Sequence, residues 1–227
     1  MCAEPRLIEV RKNVLKQNDI VARSLRDRFR AAGVFVVSLV SSPGSGKTAF
    51  LEKALTLLRS DYRVAALVGD LATENDALRL ARSGAPVKQI TTGTLCHLEA
   101  AMVQTAIEGW DLSQLDFLFV ENVGNLVCPS SYDLGEDLRL VLISVTEGDD
   151  KPLKYPTIFN SSDVAVVTKA DLSVAVDFDR KALHDNIQAV RPGMPVFMLS
   201  SKTGEGMEDL MKFVAARLTE LRQAAAV

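Results

Sequence analysis

A chain of 227 residues is long enough for one large α/β domain and too short for two of ordinary size. Hydrophobic residues at 48% and charged residues at 24% are ordinary for a soluble globular protein, and a net charge of -3 argues against a protein devoted to nucleic acid. No apolar run approaches the roughly 18 residues of a membrane span, the N-terminus has no signal-peptide pattern, and three cysteines supply no disulfide framework, so no membrane partner is expected and a reducing cytoplasm is the expected compartment.

Residues 5–32 read as one helix, with Leu7, Val14, Val21, Leu25 and Phe29 at helical spacing and Gly33 as its stop. Between Arg6 and Arg30 eight Lys/Arg face three Asp/Glu. Such a face is either a solvated outer surface or a docking surface for an acidic partner, and spacing does not choose between them. From residue 34 the pattern alternates. Apolar runs at 34–40, 64–68, 115–120, 138–145, 164–167 and 196–199 read as strands, and helical patterns near 48–59, 74–83, 95–108, 179–190 and 205–223 fill the intervals. Strands apolar on both faces, separated by helices, predict one doubly wound α/β domain with a mainly parallel sheet. The expected organisation is a helical extension over 1–32, the domain over 33–223 and a tail over 224–227.

Between the first strand and its helix stands Ser42-Pro43-Gly44-Ser45-Gly46-Lys47-Thr48. Strand, glycine-rich turn and helix N-terminus form the context of a phosphate-binding loop, whose backbone N–H groups converge on an anion. Pro43, Gly44, Ser45 and Gly46 would line the phosphates, Lys47 would reach the β and γ phosphates, and the Thr48 hydroxyl would sit on Mg²⁺. Ser41 stands where the G-x-x-x-x-G-K-[ST] pattern has its first glycine.

In doubly wound sheets ligands bind past the carboxyl ends of the strands. Asp70 and Glu121 occupy such positions and suit Mg²⁺, directly or through its waters; Asp76 is the alternative to Asp70. Glu121 ends an apolar strand, where an unpartnered charge would be costly to bury. Thr168-Lys169-Ala170-Asp171 and Ser200-Ser201-Lys202 follow two later strands. A carboxylate at Asp171 can accept from the ring N–H and exocyclic amine of guanine, a donor pair that adenine lacks. Lys169 would lie along the base, and Ser201 and Lys202 stand where a backbone N–H could meet the guanine oxygen, so GTP/GDP is the expected nucleotide. Cys96-His97 and Cys128-Pro129 offer thiolate and imidazole donors, suited to Zn²⁺ or Ni²⁺ rather than Mg²⁺. Spacing alone leaves a buried small thiol as the alternative for each.

The run from Ser41 to Thr48, with GDLATENDA at 69–77, TTGTLCHLEA at 91–100, ENVGNLVCPSSYDLGE at 121–136, VTEGDDKPLKYP at 145–156 and TKADL at 168–172, resembles the hydrogenase nickel-incorporation GTPases, the HypB family. The resemblance covers nearly all of residues 34–220. It implies a P-loop GTPase fold and a slow GTPase that delivers nickel for [NiFe] hydrogenase assembly. It further implies a GTP-dependent homodimer, and as partners another maturation metallochaperone and the hydrogenase large subunit.

Carried over residue by residue, the resemblance implies Cys96, His97 and Cys128 as nickel (or zinc) ligands and Thr48, Asp70 and Glu121 at Mg²⁺. Gly124 would be the γ-phosphate sensor, and Lys47, Asp70 and Lys154 would contribute to catalysis. Leu172 and Val176 match positions that such proteins bury between subunits. The chain departs from the family's N-K-x-D at Thr168, and only Cys2 and a basic helix stand where many members carry a cysteine cluster or a histidine-rich stretch. Asn125, not glutamine, follows Gly124, which fits slow turnover. The competing readings are a urease-accessory-type nickel GTPase, a small-molecule P-loop kinase and a metal-storage protein. Adjacent Cys96-His97 argues against the first, TKAD and the cysteines against the second, and only two histidines and three cysteines against the third.

Overall fold

In the computed structural model, which describes residues 5–70 and 75–225, seven parallel strands form a single sheet in the order β3-β2-β4-β1-β5-β6-β7. The strands are β1 (Phe35–Ser41), β2 (Val64–Asp70), β3 (Val87–Thr91), β4 (Phe117–Glu121), β5 (Leu138–Ser144), β6 (Val164–Thr168) and β7 (Val196–Met198). The helices are α1 (Pro5–Ala31), α2 (Lys47–Leu58), α3 (Asn75–Ala81), α4 (Ala100–Ala106), α5 (Lys151–Lys154), α6 (Pro156–Asn160), α7 (Arg180–Val190) and α8 (Met207–Ala225). Cys2, the Leu71–Glu74 part of the GDLATENDA motif and the last residues of the expected tail lie outside the described residues.

Alternation along the strands splits the core into layers. Val37 and Leu39 of β1 face a cluster built with Phe50 and Leu55 of α2 and Leu210 and Val214 of α8. Val36 faces the opposite cluster, which holds Ala22, Leu25 and Phe29 of α1 and Val103 of α4. Val40, Val141 and Val167 pack with Ile158, Leu183 and Ile187 beneath α6 and α7. Helices therefore cover both faces, as the fully apolar strands require. The inner face of α1 is part of this core, while Lys12, Lys16, Arg23, Arg28 and Arg30 stay exposed on its outer face.

Three features depart from the sequence pattern. Strand β3 is absent from it: Val87-Lys88-Gln89-Ile90-Thr91 is an edge strand in which only Ile90 is buried, so it lacks the apolar run of its neighbours. Helices α5 and α6 lie between β5 and β6, where the sequence pattern assigns no element. The helix expected over 95–108 is confined to Ala100–Ala106, so Cys96-His97 lies in the irregular segment before it rather than in its first turn. The reason is visible in the hydrogen bonds. The N–H groups of Leu98 and Ala100 are taken by the carboxamide oxygens of Asn122 and Asn18, both at distances below 3 Å, instead of by carbonyls of a preceding turn.

Candidate nucleotide and metal site

The phosphate loop leaves β1 at Ser41 and enters α2 at Lys47, with Gly44 and Gly46 at φ 74° and 94°. These left-handed values are what glycine tolerates without a Cβ penalty. Lys47 is buried, and burial lowers its pKa against the opposing pull of Glu121, Asp76 and Glu147. Its ammonium donates to Ser41 Oγ at 2.9 Å, and the Ser45 hydroxyl also donates to Ser41. The serine that replaces the first glycine of the pattern thus becomes a buried acceptor at the foot of the loop.

A cleft of about 440 Å³ opens above the loop. Its lining joins Pro43, Gly44, Gly46, Lys47 and Thr48 to Asp70, Asp76, Glu121 and Gly124, so the phosphate and Mg²⁺ candidates meet at one place. Thr48 Oγ1 donates to Glu121 Oε1 at 2.8 Å, and Glu121 Oε2 is buried with no hydrogen-bond partner among the described residues. A carboxylate with one tethered and one orphaned oxygen, beside a P-loop threonine, fits a hydrated divalent cation. Arg79 also lines the cleft, paired with Glu52 at 2.7 Å, and the sequence pattern does not single it out.

Glu121 is 3% exposed, and burial pushes its pKa from 4.5 up to about 7 despite the favourable Lys47 charge and Thr48 hydrogen bond. Below pH 4.5 both folded and unfolded chains hold this proton; between there and pH 7 only the folded chain does. Stability of the metal-free, nucleotide-free protein therefore falls as pH rises through that window. Glu121→Gln should raise the Tm of this form at pH 8, by up to about 10 °C if the shift costs about 3 kcal/mol. The gain should vanish near pH 4.5, and equal Tm values at both pH values would show that Glu121 is not strained by ionisation.

On the other side of the loop, β6 ends at Thr168, whose hydroxyl donates to Ser45 O at 2.6 Å. The residue standing in for asparagine therefore ties the loop to the turn that carries Lys169 and Asp171. Lys169 takes φ 58°, and its ammonium donates to Gly44 O at 2.7 Å, so its chain runs across the phosphate loop. Asp171 is exposed and accepts from Ser200 Oγ at 2.6 Å. Ser200 is not among the expected site residues; Ser201 and Lys202 follow it in a turn held by Ser200 N donating to Glu205 O at 2.9 Å.

Cys96, His97 and Cys128 converge. Their candidate ligand atoms lie within 4.8 Å of one another, with the two sulfurs 2.9 Å apart. Burial lowers the pKa of His97, against the Glu99 charge, which favours the neutral imidazole that a metal needs. His97 Nε2 is buried and makes no hydrogen bond among the described residues; Glu99 Oε1 is 3.6 Å away, beyond hydrogen-bond length. The ring lies against Tyr132, with centroids 4.0 Å apart. Two thiols and an imidazole with an unengaged nitrogen suit Ni²⁺ or Zn²⁺ equally by donor type.

One segment connects the two regions. Glu121 accepts from Thr48, and Asn122 Oδ1 accepts from Leu98 N, next to His97. A Cβ on Gly124 would stand 3.0 Å from the backbone of Pro43, so this glycine packs directly on the phosphate loop. Asn125 Nδ2 donates to Cys96 O at 3.3 Å, and Cys128 begins the short 3-10 turn Cys128–Ser131.

Residues 35–198 match the CobW/HypB/UreG nucleotide-binding domain. The chain belongs to this family. Membership makes it a P-loop GTPase of the CobW/HypB/UreG type, in keeping with the guanine-side TKAD turn and the phosphate loop. The hydrogenase/urease maturation factor HypB of Helicobacter hepaticus is 43% identical over 211 residues, covering 91% of this chain and 86% of that protein. The hydrogenase maturation factor HypB of Rhizobium leguminosarum bv. viciae is 44% identical over 206 residues, covering 91% and 69%. Among solved structures, Helicobacter pylori HypB in complex with nickel superimposes with a TM-score of 0.86 at 42% identity, covering 90% of this chain and 96% of that one. In this CobW/HypB/UreG chain, Lys154 lies outside the cleft lining, exposed and paired with Asp150 at 2.5 Å. Leu172 leans on the core beneath α7, whereas Val174 and Val176 are 92% and 42% exposed.

Proposed function

We propose that this chain is a GTP-hydrolysing nickel metallochaperone that loads [NiFe] hydrogenase during its maturation, with the metal site driven by the nucleotide. The observation that carries this reading is the single segment Glu121–Cys128, which touches the phosphate loop at Thr48 and Pro43 and ends on a metal-ligand candidate. In the proposal, GTP with Mg²⁺ at Thr48, Glu121 and Asp70 holds Gly124 against the γ-phosphate. Hydrolysis releases that contact, and the segment shifts Cys128 relative to Cys96 and His97. Nickel affinity then changes, and the ion passes to an acceptor. Nickel is cargo in this reading, and Zn²⁺ competes for the same donors.

Guanine is read by Asp171, oriented by Ser200, while Lys169, Ser201 and Lys202 frame the base. Slow turnover follows from Asn125 standing where a water-orienting glutamine would be. Two chains joined in the GTP state through Leu172, Val174 and Val176 would let Lys154 of one subunit add positive charge at the nucleotide of the other. A homodimer would also pool two open Cys/His sets. The working compartment is the cytoplasm, and the partners are a second maturation metallochaperone and the hydrogenase large subunit. Urease is the second acceptor to consider, because the Helicobacter hepaticus relative is named for both enzymes.

The test is a nickel titration at fixed pH with GDP and with a non-hydrolysable GTP analogue. Coupling free energies of 1–3 kcal/mol correspond to about 5–150-fold, so the two affinities should differ by at least about fivefold. By reciprocity, nickel should shift the GDP/GTP affinity ratio by the same factor. Equal nickel affinities in the two states would refute the switch.

A further inference from the structure

Among the buried polar side chains that neither the nucleotide cleft nor the metal trio uses, Asn18 bonds to the segments that carry the trio. Asn18 lies in the middle of α1 and is 6% exposed. Its Nδ2 donates to Asp133 O at 2.8 Å, and its Oδ1 accepts from Ala100 N at 2.8 Å. Ala100 opens α4, three residues after His97; Asp133 stands five residues after Cys128 and directly after Tyr132, the residue stacked on His97. A single carboxamide therefore bonds both segments that carry metal-ligand candidates. Arg26, two turns further along α1, reinforces one of these anchors, its guanidinium donating to both Asp133 carboxylate oxygens at 2.6 and 2.8 Å.

A side chain placed only to stabilise α1 could be apolar, as Ala22, Leu25 and Phe29 on the same helix are. A buried amide is costly unless both ends are satisfied, and here both ends are satisfied by backbone groups 82 and 115 residues away. We infer that Asn18 is a positioning residue of the Cys96/His97/Cys128 site, setting the separation of its two halves. This inference rests on the nickel reading of that trio. Outer-shell groups bonded directly to metal ligands typically change metal affinity by about 10–100-fold when removed, and Asn18 acts one step further out, through the backbone of Ala100 and Asp133.

The experiment compares Asn18→Ala, the isosteric Asn18→Asp and the packing control Leu25→Ala with wild type. Nickel affinity is read by competition with a chromophoric chelator, the thiolate-to-nickel charge-transfer band by absorbance, folding by Tm, and nucleotide binding by GTP affinity. The carboxylate introduced by Asn18→Asp would still accept from Ala100 N but would be set against Asp133 O, where the native amide donates. Both Asn18 variants should therefore lose about tenfold in nickel affinity and shift the band, with GTP affinity unchanged. Leu25→Ala should lower Tm while leaving affinity and band at wild-type values. Should Asn18→Ala prove too unstable to purify, Asn18→Asp carries the comparison. Nickel binding that Cys128→Ala leaves untouched would sink the reading of the trio itself. Loss in Cys128→Ala with Asn18 variants no worse than Leu25→Ala at matched Tm would sink the positioning role alone.

Discussion

Asp171→Asn is expected to weaken GTP binding by about 10²–10⁴-fold and to admit xanthosine triphosphate in its place. In the proposed guanine site the wild-type carboxylate would accept from the ring N–H and the exocyclic amine of guanine, and two hydrogen bonds to a charged group are worth roughly 1.5–3 kcal/mol each. A carboxamide offers one acceptor and one donor, which clashes with the guanine amine but complements the carbonyl that xanthine carries there. The effect depends on orientation, and the Ser200 hydroxyl, 2.6 Å from Asp171 Oδ1, supplies it. Competition binding with GTP, XTP and ATP reads the result. ATP should gain nothing, because adenine presents neither pattern. Unchanged GTP affinity would remove Asp171 from the guanine site.

Cys128→Ala should reduce nickel affinity by more than about 100-fold, beyond the range seen when only an outer-shell partner is lost. It should also abolish the difference between GDP and GTP states, because in the proposed switch Cys128 is the ligand carried by the segment that packs on the phosphate loop. Cys96 and His97 would remain, within 4.8 Å of each other's ligand atoms but on a different segment from the one that packs on the phosphate loop. GTP turnover with Mg²⁺ but without nickel should stay near wild type, since Cys128 does not line the cleft. Titration must be run at constant pH, as thiols and imidazole release protons on binding. A Cys128→Ala protein that keeps a nucleotide-dependent nickel affinity would place the coupling elsewhere. Together the two substitutions would separate the two ends of the proposed device, one at the expected base site and the other at the candidate metal site.

Much of this architecture is written in local pattern. Val34–Val40 followed by the glycine turn and a helical stretch identifies the phosphate loop, because strand, turn and helix N-terminus are contiguous and each has its own signature. Lys47, Thr48 and Asp171 can be named for the same reason: their chemistry is set by immediate neighbours and by position at a strand end. Glu121 is conspicuous as a charge ending an apolar run, and its burial with one orphaned oxygen accords with that oddity. Strand β3 escapes notice because an edge strand buries one face only, and Lys88 and Gln89 break the apolar run that marks its neighbours. The start of α4 is misplaced by periodicity because Asn122 and Asn18 supply the acceptors that end the helix, and neither is adjacent in sequence.

The chemistry available to this chain, a phosphate cradle, a guanine reader and a set of thiol and imidazole donors, follows from residue type and spacing. Their arrangement does not. That Gly124 packs on Pro43, that Thr168 holds Ser45 and that Asn18 joins Ala100 to Asp133 are contacts between residues up to 123 positions apart. Periodicity reports which face of an element is buried but carries no information on which distant backbone group a buried amide or hydroxyl will meet. Only the packed sheet and its covering helices bring those groups within hydrogen-bond range, and the proposed coupling of nucleotide to metal would run through such contacts.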